Sequence, residues 1–198
     1  MDSKKVSPRI SAGHRPPVFK DRLTAAELIA VGAACFFASL ICAVIQTGFF
    51  SVVRPFGCAP DVCLALSVAV GLKFGSKCGG VVGLMSGFTV DALSASGFSL
   101  AIPIYVVFGI VMGMLSDIES GTDLPHIVIY IIGLFCGALV LAAASILGML
   151  VSYTSLGFAD MLTRSVLPRL LLNMLAGLAL YPCVLLTAKL IRKKQGFK

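Results

Sequence analysis

Long apolar segments separated by short polar breaks dominate the chain. The segments approach or exceed the length of about 20 residues that an α-helix needs to cross the hydrocarbon core of a bilayer. Their approximate limits are residues 25–50, 56–73, 78–95, 98–115, 126–151 and 168–191. The pattern predicts an all-α integral membrane protein, built as a single bundle of about six transmembrane helices.

The composition supports this class and limits what else the chain can contain. The chain is 58% hydrophobic and only 13% charged, and its mean hydropathy is +1.01. With 198 residues, it is too short for this bundle plus a separate soluble domain of ordinary size. We therefore predict a polar, basic and disordered tail over residues 1–24, a transmembrane domain over 25–191 and a second basic tail over 192–198.

The basic residues predict the orientation in the membrane. The net charge is +7, but the Lys and Arg residues cluster at the chain ends, where they more commonly fix topology than bind nucleic acid. With the N-terminus inside, the first tail, the turn at Lys73 and Lys77, and the segment from Lys189 onward are all cytoplasmic. The opposite side receives three arginines: Arg54, Arg164 and Arg169. Both termini are thus predicted to be cytoplasmic, although the loop 117–126, assigned to the same side, has no Lys or Arg.

Glycines recur every four residues in the third and fourth predicted spans. Gly79, Gly83 and Gly87 form one helical stripe that leads to Asp91, and Gly109 and Gly113 repeat the spacing in the next span. Small residues at this spacing let two helix backbones approach closely in lipid. The stripes therefore predict helix packing or partner binding.

Two carboxylates and one arginine form a candidate polar site near the outer face. Asp61 and Asp91 lie at about 18 and 21 Å from the basic turn, so antiparallel packing brings them to a similar depth, with Arg54 the nearest positive charge. A charged side chain at the bilayer centre costs roughly 2.5 to 3.5 kcal/mol, so these residues should be paired, interfacial or turned towards protein. Simple capping of helices at the interface is the plainer alternative.

The sequence gives little support for catalysis, cofactor binding or metal binding. The Gly83–Gly87 segment contains a serine, but neither His14 nor His126 is a plausible base for it. No span places two metal-ligand side chains one turn apart, and the seven cysteines are scattered without a CxxC motif. We therefore expect no enzyme activity, cofactor or metal, and we expect Asn173 to hydrogen-bond between helices.

An ordered set of these residues resembles a known family. The set comprises Pro60-Asp61, the Gly71 to Gly75 turn, Gly83-x-x-x-Gly87-x-x-x-Asp91-x-x-Ser94, and then Tyr105, Gly109 and Gly113. Over residues 60–115 it resembles the signature of the rod shape-determining protein MreD family. The resemblance implies a non-enzymatic membrane component of the bacterial cell-elongation machinery. Its partners would be the membrane-anchored MreC and, directly or indirectly, the filament protein MreB and the lateral-wall peptidoglycan synthases.

The same resemblance leaves a second function open. The family is similar in fold to the six-helix substrate-binding subunits of energy-coupling-factor vitamin transporters. A transporter subunit would need an outward-facing pocket with several convergent polar side chains. Glycine stripes favour close packing over a cavity, so the scaffold function is the preferred prediction.

Overall fold

The protein is all-helical throughout the part that the computed structural model describes, which comprises residues 25–93, 100–118, 126–151 and 166–195. The helices are α1 (Ala25–Val44), α2 (Phe50–Val53), α3 (Val62–Phe74), α4 (Ser76–Leu93), α5 (Ala101–Ile118), α6 (His126–Val151) and α7 (Leu167–Gln195). A π-helical turn, Ile45–Phe49, joins α1 to α2, and a 3-10 turn, Pro55–Gly57, follows α2. The predicted tail 1–24 and the external loop 94–99 lie outside the described residues.

Proline and glycine set the limits of α3. The second span was predicted from residue 56, but Pro55 begins the 3-10 turn and Cys58 is extended, so the helix starts only at Val62. At its other end the chain turns sharply into α4 through Gly75, whose φ of +90° favours glycine. The resulting helix has 13 residues and is about 20 Å long, shorter than the roughly 30 Å of a bilayer core.

Helix α3 lies at the centre of the molecule. Every residue from Val62 to Leu72 is buried, and α3 contacts α1, α4, α5, α6 and α7. A helix that is apolar on all sides is stable only when it is enclosed. This explains why the segment shows no polar face in the sequence.

Neighbouring helices alternate in direction. Gly87 near the end of α4 lies against Ile102 at the start of α5, and Gly113 near the end of α5 lies against Ser76 at the start of α4. Asp61, which precedes α3, bonds to residues that follow α1 and begin α5 and α7. The bundle thus has two ends, which we call the Asp61 end and the Lys73 end.

Among the described residues, three helical stretches are long and apolar enough to cross a membrane: Gly32–Val53, His126–Leu147 and Leu167–Lys189. The segments Val62–Phe74 and Ala101–Ser116 are apolar but shorter. Large apolar side chains are exposed on the outer helices, including Phe37, Phe88, Val107, Ile132 and Leu175. A soluble monomer rarely exposes so much contiguous apolar surface, so this surface fits a lipid environment.

Candidate functional site: a buried polar cluster at the Asp61 end

Asp61 lies at the start of α3 and is the centre of a buried polar cluster. Its side chain is 5% exposed, and its backbone N–H donates to the Asn173 Oδ1 at 2.6 Å. The position is electrostatically favourable because the N-terminus of a helix carries partial positive charge. Asn173, on α7, thereby makes the bond between helices that its sequence context predicts.

Arg169 pairs with this carboxylate through two parallel hydrogen bonds. Its Nε donates to Asp61 Oδ2 at 3.0 Å, and its Nη2 donates to Asp61 Oδ1 at 3.2 Å. Its Nη1 donates to the Ser145 Oγ on α6 at 2.8 Å. A two-pronged contact of this kind fixes the relative position of both groups. The arginine side chain remains 30% exposed, so the ion pair lies at the edge of the core.

Gln46 brings the π-helical turn into the same cluster. It is the buried residue of that turn, and its Nε2 donates to Asp61 Oδ1 at 3.1 Å. Its Oε1 accepts a bond of 3.0 Å from the backbone N–H of Cys63. That N–H belongs to the first turn of α3, where backbone donors lack a partner within the helix. Gln46 therefore caps α3 as well as binding the carboxylate.

Tyr105 and Asn173 complete the shell around Asp61. The Tyr105 hydroxyl donates to Oδ1 at 3.5 Å and accepts from Gln46 Nε2 at 3.4 Å. The Asn173 Nδ2 donates to Oδ2 at 3.4 Å. Both carboxylate oxygens thus have at least two donors, which is what a buried charge requires. The cluster joins the π-helical turn, α3, α5, α6 and α7 and carries no net charge.

The structure pairs Asp61 with a different arginine from the one predicted. The guanidinium that pairs with Asp61 is that of Arg169 and not that of Arg54. Arg54 is exposed in a left-handed conformation with φ of +33°, and its Nε donates to the Ser51 carbonyl at 2.9 Å. Asp91 lies near the end of α4, and its Oδ1 is buried with no hydrogen-bond partner among the described residues.

The five glycines singled out in the sequence line the contact between α4 and α5: Gly79, Gly83, Gly87, Gly109 and Gly113. We call this contact the glycine seam. A Cβ built on Gly83 would lie 2.6 Å from the Tyr105 carbonyl carbon, and one on Gly87 would lie 2.6 Å from the Ile102 Cα. Because real Cβ atoms essentially never come closer than 3.0 Å to such atoms, a larger residue would force the backbones apart. Tyr105 therefore belongs to the seam through its backbone and to the polar cluster through its hydroxyl.

Five members of the cluster are absent from the predicted polar site: Gln46, Tyr105, Ser145, Arg169 and Asn173. The sequence gives a weak indication for two of them. Gln46 and Arg169 are polar residues within or beside long apolar segments, where such groups usually face protein. In the part of the chain that the structure describes, no group of three or more His, Cys, Asp or Glu side chains could hold a metal ion.

In the described residues the protein is all-helical, and three helical stretches are long and apolar enough to cross a bilayer, which is consistent with a membrane protein. An ion pair with a buried carboxylate lies at one end of its core. No family model, curated protein or solved structure matches the chain.

Proposed function

We propose that this protein is a non-enzymatic scaffold of the bacterial cell-elongation complex in the cytoplasmic membrane, helping to maintain rod shape and to direct lateral peptidoglycan synthesis. In this proposal it has six spans with both termini cytoplasmic, and its fold is similar to that of energy-coupling-factor substrate-binding subunits. MreC is its direct partner, and MreB and the lateral-wall synthases are engaged directly or through MreC.

The observation that carries the proposal is where the family-like residues lie. The resemblance covers residues 60–115, which comprise α3, α4 and α5. Within this unit the glycines form the seam between α4 and α5, and Tyr105 bonds to Asp61. The glycines, Tyr105 and Asp61 of the resembling set therefore hold one three-helix unit together, as expected for a scaffold.

The alternating helix directions support the six-span part of the proposal. Helix α3 is too short to span a bilayer by itself, yet it runs between the two ends of the bundle inside a shell of longer helices. In this arrangement the longer surrounding helices contact lipid, and the buried helix α3 does not. A span enclosed by protein does not need the full hydrophobic length, because its polar ends can be covered by neighbouring loops and side chains.

The proposed scaffold mechanism depends on fixed positions of the helices relative to one another. The glycine seam fixes α4 on α5, and the polar cluster fixes α1, α6 and α7 to the same core. A partner helix would then meet apolar outer faces whose positions relative to one another do not vary. Such a surface binds with a small loss of conformational entropy.

The test is complementation in a rod-shaped host depleted of the wild-type protein. Depletion should cause rounding and misplaced wall synthesis, which the wild-type chain should reverse. Gly83→Leu, which inserts a side chain into the seam, should fail to rescue although the protein still inserts, because packed contacts do not absorb extra volume cheaply. Gly32→Leu is the matched control, since nothing lies within 4 Å of a Cβ at that position of α1. Full rescue by Gly83→Leu would contradict the scaffold mechanism.

Partner identification separates the scaffold from a vitamin-transporter subunit. Wild-type protein solubilised gently and captured by an affinity tag should retain MreC, as identified by mass spectrometry. Recovery of transporter ATPases and a shared coupling protein without MreC, together with growth restored by a supplied vitamin, would overturn the proposal.

A further inference from the structure

The two ends of the bundle differ sharply in charge. Each charged residue can be counted by the helix end to which its segment connects. By this count of the sequence, the segments that connect at the Lys73 end contain thirteen Lys and Arg residues and six Asp and Glu residues, whereas those that connect at the Asp61 end contain three of each. The whole net charge of +7 therefore comes from the segments of the Lys73 end. The acidic residues of those segments are Asp2, Asp21, Glu27, Asp117, Glu119 and Asp123.

The helices bring three described lysines to this end. Lys73 closes α3, Lys77 begins α4 after the Gly75 turn, and Lys189 lies on the last part of α7. The ammonium of Lys73 lies 5.8 Å from the centroid of the Tyr181 ring on α7, which brings the α3–α4 turn next to that helix. Lys77 and Lys189 are exposed.

The position of Tyr181 is itself fixed. Its ring stacks on that of Tyr130 from α6, with centroids 4.6 Å apart, and the Tyr130 hydroxyl donates to the Gly177 carbonyl at 3.0 Å. The Lys73 ammonium therefore contacts a ring whose position is set by its stacking on Tyr130. A cation over an aromatic ring in this range is attracted by the ring face, so the location of this positive charge is set by the fold.

Exposed apolar side chains occur next to Gly113, which lies against Ser76 at the start of α4, and three residues before Lys189 on α7. Met114 on α5 is 55% exposed and Leu186 on α7 is 60% exposed. Helix α7 continues beyond Lys189 to Gln195, and this last part carries Arg192, Lys193 and Lys194. The lysines thus lie where an acyl-chain region would meet a headgroup region.

We propose that the Lys73 end is a binding site for the phosphate headgroups of anionic phospholipids, formed by Lys73, Lys77 and Lys189. This goes beyond orientation in the membrane, because it assigns a ligand to the assembled fold, and it is independent of the proposed scaffold function. Basic side chains at such a boundary attract anionic lipid electrostatically. The Asp61 end, with no net charge, should show no such preference.

The test uses purified full-length protein in a non-ionic detergent, so that a change of membrane orientation cannot affect the result. Phosphatidylglycerol or phosphatidylcholine is added, and native mass spectrometry counts the lipids retained. The wild-type protein should retain phosphatidylglycerol in preference. Lys77→Gln combined with Lys189→Gln should weaken that binding by about five-fold per lysine, and high salt should weaken it as well.

Two controls and two contrary outcomes complete the test. The double variant leaves the Lys73–Tyr181 contact intact, and an unchanged melting temperature should show that it is folded. Arg54→Gln, at the other end of the bundle, should retain phosphatidylglycerol like the wild type. Equal retention by the double variant would overturn the proposal. So would displacement of the lipid by millimolar inorganic phosphate, because the site would then be one for free phosphate.

Discussion

Removing Arg169 should destabilise the protein more than removing the charge of Asp61. In Arg169→Met the carboxylate keeps its bonds from Gln46, Tyr105 and Asn173 but stays buried, at 5% exposure, without a counter-ion. Breaking a buried ion pair in this way costs about 3–5 kcal/mol. In Asp61→Asn the remaining arginine is 30% exposed and can turn towards water or headgroups, so the cost should be about 1–3 kcal/mol.

The double variant shows whether the two residues act as a pair. Asp61→Asn combined with Arg169→Met removes both charges, and its loss of stability should be smaller than the sum of the single losses by about 2 kcal/mol. Reversible unfolding of the detergent-solubilised protein with increasing denaturant measures all three values. Arg54→Met is the control, since that arginine is exposed and bonds only to the backbone of its own turn among the contacts described above.

Two results would refute this reasoning. The first is an Arg169→Met protein as stable as the Arg54→Met control, which would mean that the buried carboxylate needs no counter-ion. The second is strict additivity in the double variant, which would mean that the pair contributes no coupling energy. Either result would reduce the cluster to a set of independent hydrogen bonds.

Two further predictions concern topology and assembly. Single-cysteine labelling in a cysteine-free background should place residues 73–77 and 192–198 in the cytoplasm and residues 94–99 outside, and an external C-terminus would contradict the six-span arrangement. Asp91→Ala should impair co-purification of the elongation complex more than Asp117→Ala, because we expect a polar group of a partner protein to balance the Asp91 carboxylate, whose Oδ1 has no hydrogen-bond partner among the described residues. Equal, negligible effects of the two substitutions would make Asp91 an ordinary interfacial residue.

Periodicity predicted the helices well where local sequence controls them. The helix predicted for residues 126–151 is α6, His126–Val151, because a long apolar run without proline or charged residues leaves no alternative. The sixth span was predicted to end at about residue 191, but α7 extends to Gln195 because no residue there stops a helix. The start of α3 was placed too early, since apolarity alone does not show that Pro55 begins a separate turn.

The partner of Asp61 could not be predicted, because it depends on contacts between distant parts of the chain. Proximity in sequence favoured Arg54, yet the left-handed backbone at that residue directs its side chain to the Ser51 carbonyl. Arg169 is 108 residues away from Asp61. Only the packing of α7 against α3 brings the two together, and no local pattern encodes that packing.

That separation along the chain has a consequence for biosynthesis. At about 5 to 20 residues per second, the 108 residues between Asp61 and Arg169 take about 5 to 20 s to synthesise. During this interval α3 has been made but its carboxylate lacks Arg169, because α7 leaves the ribosome after the other described helices. The nascent protein must therefore pass through a stage in which the Asp61 carboxylate, at the start of the central helix, has no Arg169 to pair with. A chain truncated before α7 would remain at this stage and should be a substrate for membrane proteases.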